Sequence, residues 1–177
     1  MNRDERGARV IAQVRRARTQ DVPQIRDLVD SWTGDRRLLG KATVTLYEDV
    51  QEFFVAVDGD HVVGCGALHV LWADLAEVRT LAVAAEVRGL GVGHALLDRL
   101  LEQAGELGVR RVFCLTFETV FFASHGFDAV AQVPIAAGAL EELLQSPDEG
   151  VAEFLDLARV RPNTLGNTRM LRILHSA

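Results

Sequence analysis

Apolar residues recur at the three- and four-residue spacing of amphipathic helices in two long segments. The first segment begins after Thr19 and Asp21, either of which can cap a helix, and Pro23 suits its first turn. The second segment covers residues 95–107 and ends at Gly108. Shorter segments with helical spacing lie at residues 46–53, 121–125 and 139–144. The pattern therefore predicts two long helices and three short ones.

Other apolar segments have the length of strands and are bounded by turn residues. We predict strands at residues 14–18, 54–57, 62–71, 76–83 and 111–117, a strand from Phe127, and closing strands at 151–157 and 170–174. Asp58-Gly59-Asp60 predicts a hairpin turn between two of them. Helices that alternate with strands, with a hairpin near the start, indicate an α/β fold with a mixed sheet.

The composition is that of one globular domain. The 177 residues are 49% hydrophobic and 25% charged, so we predict a single domain over residues 1–177, with 1–12 as a mobile N-terminal extension. The net charge of −6 argues against nucleic acid or anionic membranes as partners and favours small molecules. The charged start does not resemble a signal peptide, and no apolar run is long enough to span a membrane, so we expect a cytoplasmic protein.

Two cysteines, Cys65 and Cys114, each lie in an apolar strand-like run, which predicts buried thiols and no disulfide framework. No pair of His, Cys, Asp or Glu residues has the spacing of metal ligands, so we expect no metal.

The segment Arg88-Gly89-Leu90-Gly91-Val92-Gly93 lies between a predicted strand and a helix that begins near His94. Backbone N–H groups converge there at the positive end of a helix, which is a geometry that binds pyrophosphate. Glycines allow phosphate oxygens to approach the amides, and the guanidinium is a charged donor. Dinucleotide binding needs an acidic residue at the end of the next strand, where the chain has Thr116 and Phe117, and the Gly-Lys-Ser/Thr of a nucleoside triphosphatase loop is absent.

This loop resembles the Arg/Gln-x-x-Gly-x-Gly/Ala signature of the GCN5-related N-acetyltransferase (GNAT) family, and Gly126-Phe127 matches that family's Gly-Phe. The resemblance covers residues 14–127. Within the family the chain is most similar to short N-acetylglutamate synthases that lack a kinase-like domain, through segments at 38–41, 46–48, 77–80, 113–116, 121–127 and 163–171. The resemblance implies the GNAT fold, with a mixed central sheet, helices on both faces and a splayed cleft for acetyl-CoA.

The resemblance also implies a reaction, in which acetyl-CoA donates its acetyl group to the α-amino group of L-glutamate in a ternary complex. This reaction is the first step of arginine biosynthesis. The backbone N–H of Leu81 is expected to stabilise the oxyanion of the tetrahedral intermediate. The residues expected to bind acetyl-CoA are Leu81, Ala82, Val83, Arg88, Gly89, Leu90, Gly91, Val92, Gly93 and His94.

Glu77 matches the position where such synthases place a carboxylate that removes a proton from the ammonium group, through a water. A structural alternative is an ion pair with Arg79, because residues two apart on a strand share one face. Many relatives protonate the departing CoA thiolate with a tyrosine, and Phe122 stands at that position here. Thr116 is the candidate hydroxyl in its place, and release of the thiolate without an acid remains an alternative.

A dicarboxylate acceptor needs cationic or amide partners for both of its ends. The resemblance supplies five candidates, which are Lys41, Arg79, Asn163, Asn167 and Arg169. Glutamine, another amino acid or a protein N-terminus stay open as acceptors. The missing tyrosine also leaves open a non-catalytic module that binds acyl-CoA. The oligomeric state stays open, with a homodimer as one option.

Overall fold

The structure, a computed structural model, describes residues 13–33, 41–148, 151 and 166–175. The strands are β1 (Gln13–Arg16), β2 (Phe53–Asp58), β3 (His61–Trp72), β4 (Leu75–Val83), β5 (Arg111–Thr116), β6 (Asp128–Ala129) and β7 (Thr168–Ile173). The α-helices are α1 (Val22–Thr33), α2 (Thr43–Glu48), α3 (Val92–Glu106), α4 (Thr119–Ala123) and α5 (Ala137–Leu143). Short 3-10 helices lie at Thr19–Asp21, Val50–Glu52 and Ala85–Val87.

The strands form one seven-stranded sheet in the order β1-β2-β3-β4-β5-β7-β6. The β4–β5 pair is parallel, whereas β1–β2, β2–β3, β5–β7 and β6–β7 are antiparallel. The mixed sheet predicted from the alternation of helices and strands is confirmed.

By compactness the described chain divides into two units, and β3 and β4 contribute residues to both. The first unit takes in the described residues up to 68 and residues 80–103. The second unit takes in residues 69–79 and the described residues from 104 onward.

The core of the first unit packs α1 and α2 against β2 and β3. Its buried members include Val22, Ile25, Leu28, Val29, Leu46, Phe53, Val55, Cys65 and Ala82. Fully burying an aliphatic side chain of this size stabilises a fold by about 1.5–3 kcal/mol, so this cluster accounts for much of the unit's stability.

The sequence offers Asp21 as one of two possible caps of α1, but in the structure its carboxylate binds Arg15 of β1 instead. The Arg15 guanidinium donates to both carboxylate oxygens at 2.7 and 2.9 Å, and the Arg18 N–H donates to the same group at 2.7 Å. The hydrogen bond from Arg15 lowers the pKa of the Asp21 carboxyl below its ordinary value, although burial opposes the shift. The pair connects β1 to the turn that precedes α1.

The second unit has its own core, made by β3, β4, β5 and α5. Its buried members are Leu71, Leu75, Phe113, Val133, Leu143 and Val151. Arg111 of β5 donates to both carboxylate oxygens of Asp74 at 2.8 and 3.1 Å, and also donates to the carbonyl of Pro134. This guanidinium connects the β3–β4 turn to the segment that precedes α5.

Two predicted elements differ from the observed ones. Val50 lies in a 3-10 helix and Phe53 begins β2, because Phe53 is buried in the sheet and does not extend a helical stripe. Val151 is helical and buried in the second core, so a strand from that residue is wrong, and residues 152–157 lie outside the described residues. The predicted extension at 1–12 also lies outside them. Within the described ranges, no helix is both long and apolar enough to cross a membrane.

Candidate active site

The glycine loop follows β4 in the first unit. After Val83 the chain makes a 3-10 turn, passes through residues 88–91 and enters α3 at Val92. Gly89 and Gly91 have φ angles of +79° and +86°, which side-chain-bearing residues rarely adopt. A Cβ added at either glycine would meet nothing within 4 Å. Glycine is therefore required here by the backbone conformation, and the space beside the loop is open.

The amino end of α3 presents backbone donors at this open space. The Ala95 N–H is hydrogen-bonded to the Gly91 carbonyl at 3.0 Å, which marks the start of the helical ladder. The N–H groups of Val92 and Gly93 precede that bond and lie in the first turn, at the amino end of the helix. Together with the positive end of the helix dipole they form a site suited to a phosphate. His94 lies inside the first turn, because the helix begins two residues earlier than predicted.

Arg88 lies at the start of the loop, against α1. Its guanidinium carbon is 4.4 Å from the centre of the Trp32 ring, a cation–π contact. The side chain is exposed, and stacking over a ring leaves the N–H groups at the guanidinium edge able to bind an anion. Arg88 therefore has its guanidinium held by Trp32 of α1 at the start of the glycine loop.

Two glycines of β3 allow close packing in the first unit. A Cβ at Gly64 would lie 2.8 Å from Leu96 Cδ1 and 3.0 Å from Val92 Cγ1, so α3 packs directly on the strand there. A Cβ at Gly66 would lie 2.9 Å from Leu81 Cδ1. Neither glycine was recognised from the sequence, although glycine inside an apolar strand is itself a signal of close approach.

The end of β4 carries Leu81, Ala82 and Val83, the expected partners of the thioester end of acetyl-CoA. The preceding residue, Thr80, has a φ of +57°. This is an outlier for a β-branched residue and marks local backbone strain of the kind found at functional sites. Just beyond Val83, the Ala84 N–H is hydrogen-bonded to the Val63 carbonyl of β3 at 2.9 Å.

The second unit contains a cluster of three charged residues, two largely buried on β4 and a third, half-buried, after α5. Arg79 Nη2 is 3.2 Å from Glu77 Oε2, and the side chains are 10% and 8% exposed. Arg79 also donates to the two carboxylate oxygens of Asp148 at 3.2 and 3.4 Å. The ion pair considered for Glu77 and Arg79 is therefore present, and the guanidinium lies between two carboxylates.

Asp148 was not recognised from the sequence. Burial would raise the pKa of its carboxyl, but Arg79, the Val151 N–H and His69 together lower it below the ordinary value. The residue therefore remains ionised beside Arg79. No local motif marks Asp148, because its contact with β4 joins residues 69 positions apart.

The parallel register of β4 and β5 ends at the Glu77–Phe113 pair. β5 continues to Thr116 and stays paired with β7 as far as Thr168. The two parallel strands therefore separate just after Glu77, which agrees with the splayed arrangement expected at this point. Glu77 is thus the last residue of β4 that pairs with β5.

Thr116 is the last residue of β5 and is 8% exposed. Its Oγ1 accepts a hydrogen bond from the Glu118 N–H at 2.9 Å, so the hydroxyl proton remains available for donation. Phe122, at the position of the usual tyrosine, is buried between Phe121 and Phe127, with ring centres 5.2 Å away in both cases. An aromatic cluster thus replaces the family's acid at this position.

The remaining acceptor candidates lie in different places. Lys41 belongs to the first unit, where its ammonium group is 3.1 Å from Asp49 Oδ2. Arg169 of β7, in the second unit, donates to the Ala131 carbonyl at 2.8 Å. Asn167 precedes β7, and Asn163 lies outside the described residues. In the second unit, then, the structure brings Glu77 and Arg79 together and adds Asp148 to them.

Cys65 and Cys114 are buried free thiols, as predicted. Burial and the charge of Glu77 raise the pKa of Cys114. Among the described residues, no three His, Cys, Asp or Glu side chains form a group that could hold a metal ion.

Comparison with protein families matches residues 22–127 to the acetyltransferase (GNAT) family. The amino-acid acetyltransferase of Mycobacterium tuberculosis is 58% identical over 164 residues, which is 91% of this chain and 94% of that protein. These matches agree with the resemblance inferred from the glycine loop.

Two solved structures are also similar. One is a crystal structure of a Mycobacterium tuberculosis protein in complex with CoA and a ligand designated NLQ. It has a TM-score of 0.88 at 57% identity, and the similarity covers 92% of this chain and 99% of that one. N-acetylglutamate synthase from Neisseria gonorrhoeae, complexed with coenzyme A and N-acetyl-glutamate, has a TM-score of 0.75 at 24% identity. The similarity covers 94% of this chain but 36% of the Neisseria chain, and at this identity it establishes the fold alone.

Proposed function

The chain belongs to the acetyltransferase (GNAT) family, and we propose that it transfers the acetyl group of acetyl-CoA to the α-amino group of L-glutamate. The product is N-acetylglutamate, and the reaction is the entry step of arginine biosynthesis. The observation that carries the proposal is the buried Glu77–Arg79 ion pair on β4, in which Glu77 lies four residues before Leu81 on the same strand. The likeness to an amino-acid acetyltransferase over 91% of the chain supports an amino acid as the acceptor.

Acetyl-CoA binds, in this proposal, along the end of β4 and at the glycine loop. The diphosphate accepts hydrogen bonds from the first-turn N–H groups of α3, and Arg88 adds a cation. Gly89 and Gly91 leave open space at the loop, which is what a diphosphate in contact with backbone amides requires. The presence of CoA in the similar Mycobacterium tuberculosis structure supports this cofactor.

The reaction needs a neutral amine, because an ammonium group has no lone pair to attack a thioester. Glu77 accepts the proton, through a water, and the Arg79 guanidinium, 3.2 Å away, holds its carboxylate in place. The amine nitrogen attacks the acetyl carbonyl, and the Leu81 N–H stabilises the oxyanion that forms. As the carbon–sulfur bond breaks, the amine nitrogen loses its second proton. The departing thiolate takes a proton from the Thr116 hydroxyl or from a water, and that group regains a proton from the nitrogen.

The acceptor's own carboxylates need cationic partners. Arg79 is one candidate, and its guanidinium already contacts Glu77 and Asp148. An incoming carboxylate therefore replaces Asp148 or shares the guanidinium with it. Two carboxylates already neutralise this cation. L-glutamine, whose side chain is neutral, is therefore the second candidate for the acceptor. Lys41, Asn163, Asn167 and Arg169 complete the proposed set of acceptor-binding residues.

Acetyl-CoA-dependent release of free thiol, measured with a panel of amino acids, tests this function. We expect the highest kcat/KM with L-glutamate, activity with L-glutamine, and little with D-glutamate or L-lysine. A higher kcat/KM with glutamine than with glutamate would change the acceptor and leave the reaction in place. Tight acetyl-CoA binding without turnover on any acceptor would instead identify an acyl-CoA-binding module.

A further inference from the structure

Thr80 has a backbone conformation that its own side chain disfavours. Its φ of +57° lies in the left-handed region, where a β-branched residue is a clear outlier. It lies inside β4, immediately before Leu81. Such strain persists only where surrounding contacts hold the backbone in place. One residue of β3 is hydrogen-bonded to the Thr80 carbonyl.

That residue is Cys65, whose side chain is completely buried. Its Sγ is 3.6 Å from the Thr80 carbonyl oxygen and donates a hydrogen bond to it. The Ala82 N–H in turn donates to the sulfur. A thiol can act as a weak donor and a weak acceptor at once, and here it uses both capacities on β4.

These two hydrogen bonds hold the peptide groups on both sides of Leu81. The Thr80 carbonyl and the Leu81 N–H belong to one peptide group, which is trans, so they point in opposite directions. A thiol that binds the carbonyl therefore fixes the direction in which the Leu81 N–H points. The second hydrogen bond restrains the next peptide group, and the Leu81 side chain packs over Gly66.

Burial raises the pKa of the Cys65 thiol to about 12, although the Ala82 N–H opposes the shift. The group is thus a protonated S–H donor at neutral pH. It is also unreactive as a nucleophile, because the thiolate is the reactive form.

We propose that Cys65 is a positioning residue, which aims the Leu81 N–H at the oxyanion by binding the Thr80 carbonyl and the Ala82 N–H. This inference rests on the proposed function, because it concerns the hydrogen bond that Leu81 donates in the transition state. It adds a residue on β3 that touches neither substrate. Cys65 acts through the strained backbone of β4.

The test compares Cys65→Ala with Cys65→Ser. Alanine removes both hydrogen bonds, whereas the serine hydroxyl can still donate to Thr80 and accept from Ala82. Val55→Ala is the matched control, because Val55 is also fully buried and lies directly opposite Cys65 in the β2–β3 register. All three substitutions should lower the Tm. If Cys65→Ala fails to fold, Cys65→Val takes its place, since it fills the space without a donor.

We expect Cys65→Ala to lower kcat about 10-fold, less than the loss of an oxyanion donor itself, with the KM for acetyl-CoA unchanged within about twofold. Cys65→Ser should keep more than half of the wild-type kcat, and Val55→Ala should keep all of it. Equal kcat values for Cys65→Ala and wild type, or equal losses in Cys65→Ala and Val55→Ala, would overturn the inference and leave the proposed function intact.

Amide hydrogen exchange at Ala82, followed by NMR, is a readout that needs no acceptor. Exchange should be faster in Cys65→Ala than in wild type and close to wild type in Cys65→Ser. If the wild-type protein acetylates no amino acid, the proposed function fails, and the exchange data still decide whether Cys65 restrains β4. Unchanged exchange in Cys65→Ala would show that it does not.

Discussion

Replacing Gly91 by valine distinguishes an effect on phosphate binding from an effect on folding, because Gly59 provides a matched control. Gly91 and Gly59 both have positive φ angles, +86° and +58°, and a Cβ at either would meet nothing within 4 Å. Gly59 lies in the turn between β2 and β3, whereas Gly91 supplies the carbonyl that begins α3. Valine at either position introduces the same kind of backbone strain, and only one of the two positions adjoins the phosphate site.

The magnitudes follow from this geometry. A residue with a side chain in the left-handed region costs about 1–2 kcal/mol, which lowers the Tm of a chain of this length by about 2–8 °C in both variants. The valine side chain at Gly91 also fills the open space where the diphosphate binds. Losing two charge-assisted hydrogen bonds at about 1.5–3 kcal/mol each weakens acetyl-CoA binding by about 100-fold or more.

Isothermal titration calorimetry with acetyl-CoA is the assay. Gly91→Val should show no measurable binding at concentrations that saturate the wild type, and Gly59→Val should bind like wild type. Circular dichroism should give the same spectrum for both variants. Retained affinity in Gly91→Val, or an equal loss in Gly59→Val, would refute the assignment of the phosphate site to this loop.

Three further predictions concern catalysis and acid stability. Glu77→Gln should lower kcat by a factor of about 10²–10⁴ without changing the affinity for acetyl-CoA. The loss should shrink at high pH, where more of the amine is already neutral. An unchanged pH–rate profile would contradict the assignment of Glu77 as the base. Thr116→Val should lower kcat about 10-fold with little change in KM, and equal rates would favour thiolate release without this hydroxyl. The folded-state pKa of Asp21 is depressed, so its pairing with Arg15 stabilises the protein above about pH 4 and is lost as the pH falls through the lower folded value. Asp21→Asn should therefore cost about 2 kcal/mol near pH 7, and this cost should shrink progressively as the pH falls below about 4; thermal melts at decreasing pH check it.

Much of the architecture follows from local pattern. The apolar stripes of α1 and α3, the Gly59 turn and the glycine loop are short-range signals, and the structure contains each of them. Phe53 was assigned to a helix because its spacing fits a helical stripe, yet pairing with Ala67 of β3 places it in a strand. The apolar segment from Val151 has the length of a strand, but packing in the second core overrides the β-branched preference of this residue.

The parts of the site that the sequence did not reveal depend on long-range contacts. Asp148 reaches Arg79 across 69 residues, and no motif predicts that a second carboxylate competes for this guanidinium. Gly64 and Gly66 matter because α3 and Leu81 pack on β3, which is visible only once the strands are paired. Cys65 was correctly expected to be buried, but its contact with the Thr80 carbonyl depends on a backbone conformation that residue preferences argue against.

The central claim is that an acetyl group moves from acetyl-CoA to the α-nitrogen of glutamate. NMR of a reaction between acetyl-CoA labelled with carbon-13 in the acetyl carbonyl and nitrogen-15-labelled L-glutamate tests it directly. We expect a product whose amide nitrogen is coupled to the labelled carbonyl carbon, and we expect Glu77→Gln to form this product more slowly. Labelled acetate alone, or no product while acetyl-CoA remains bound, would contradict it.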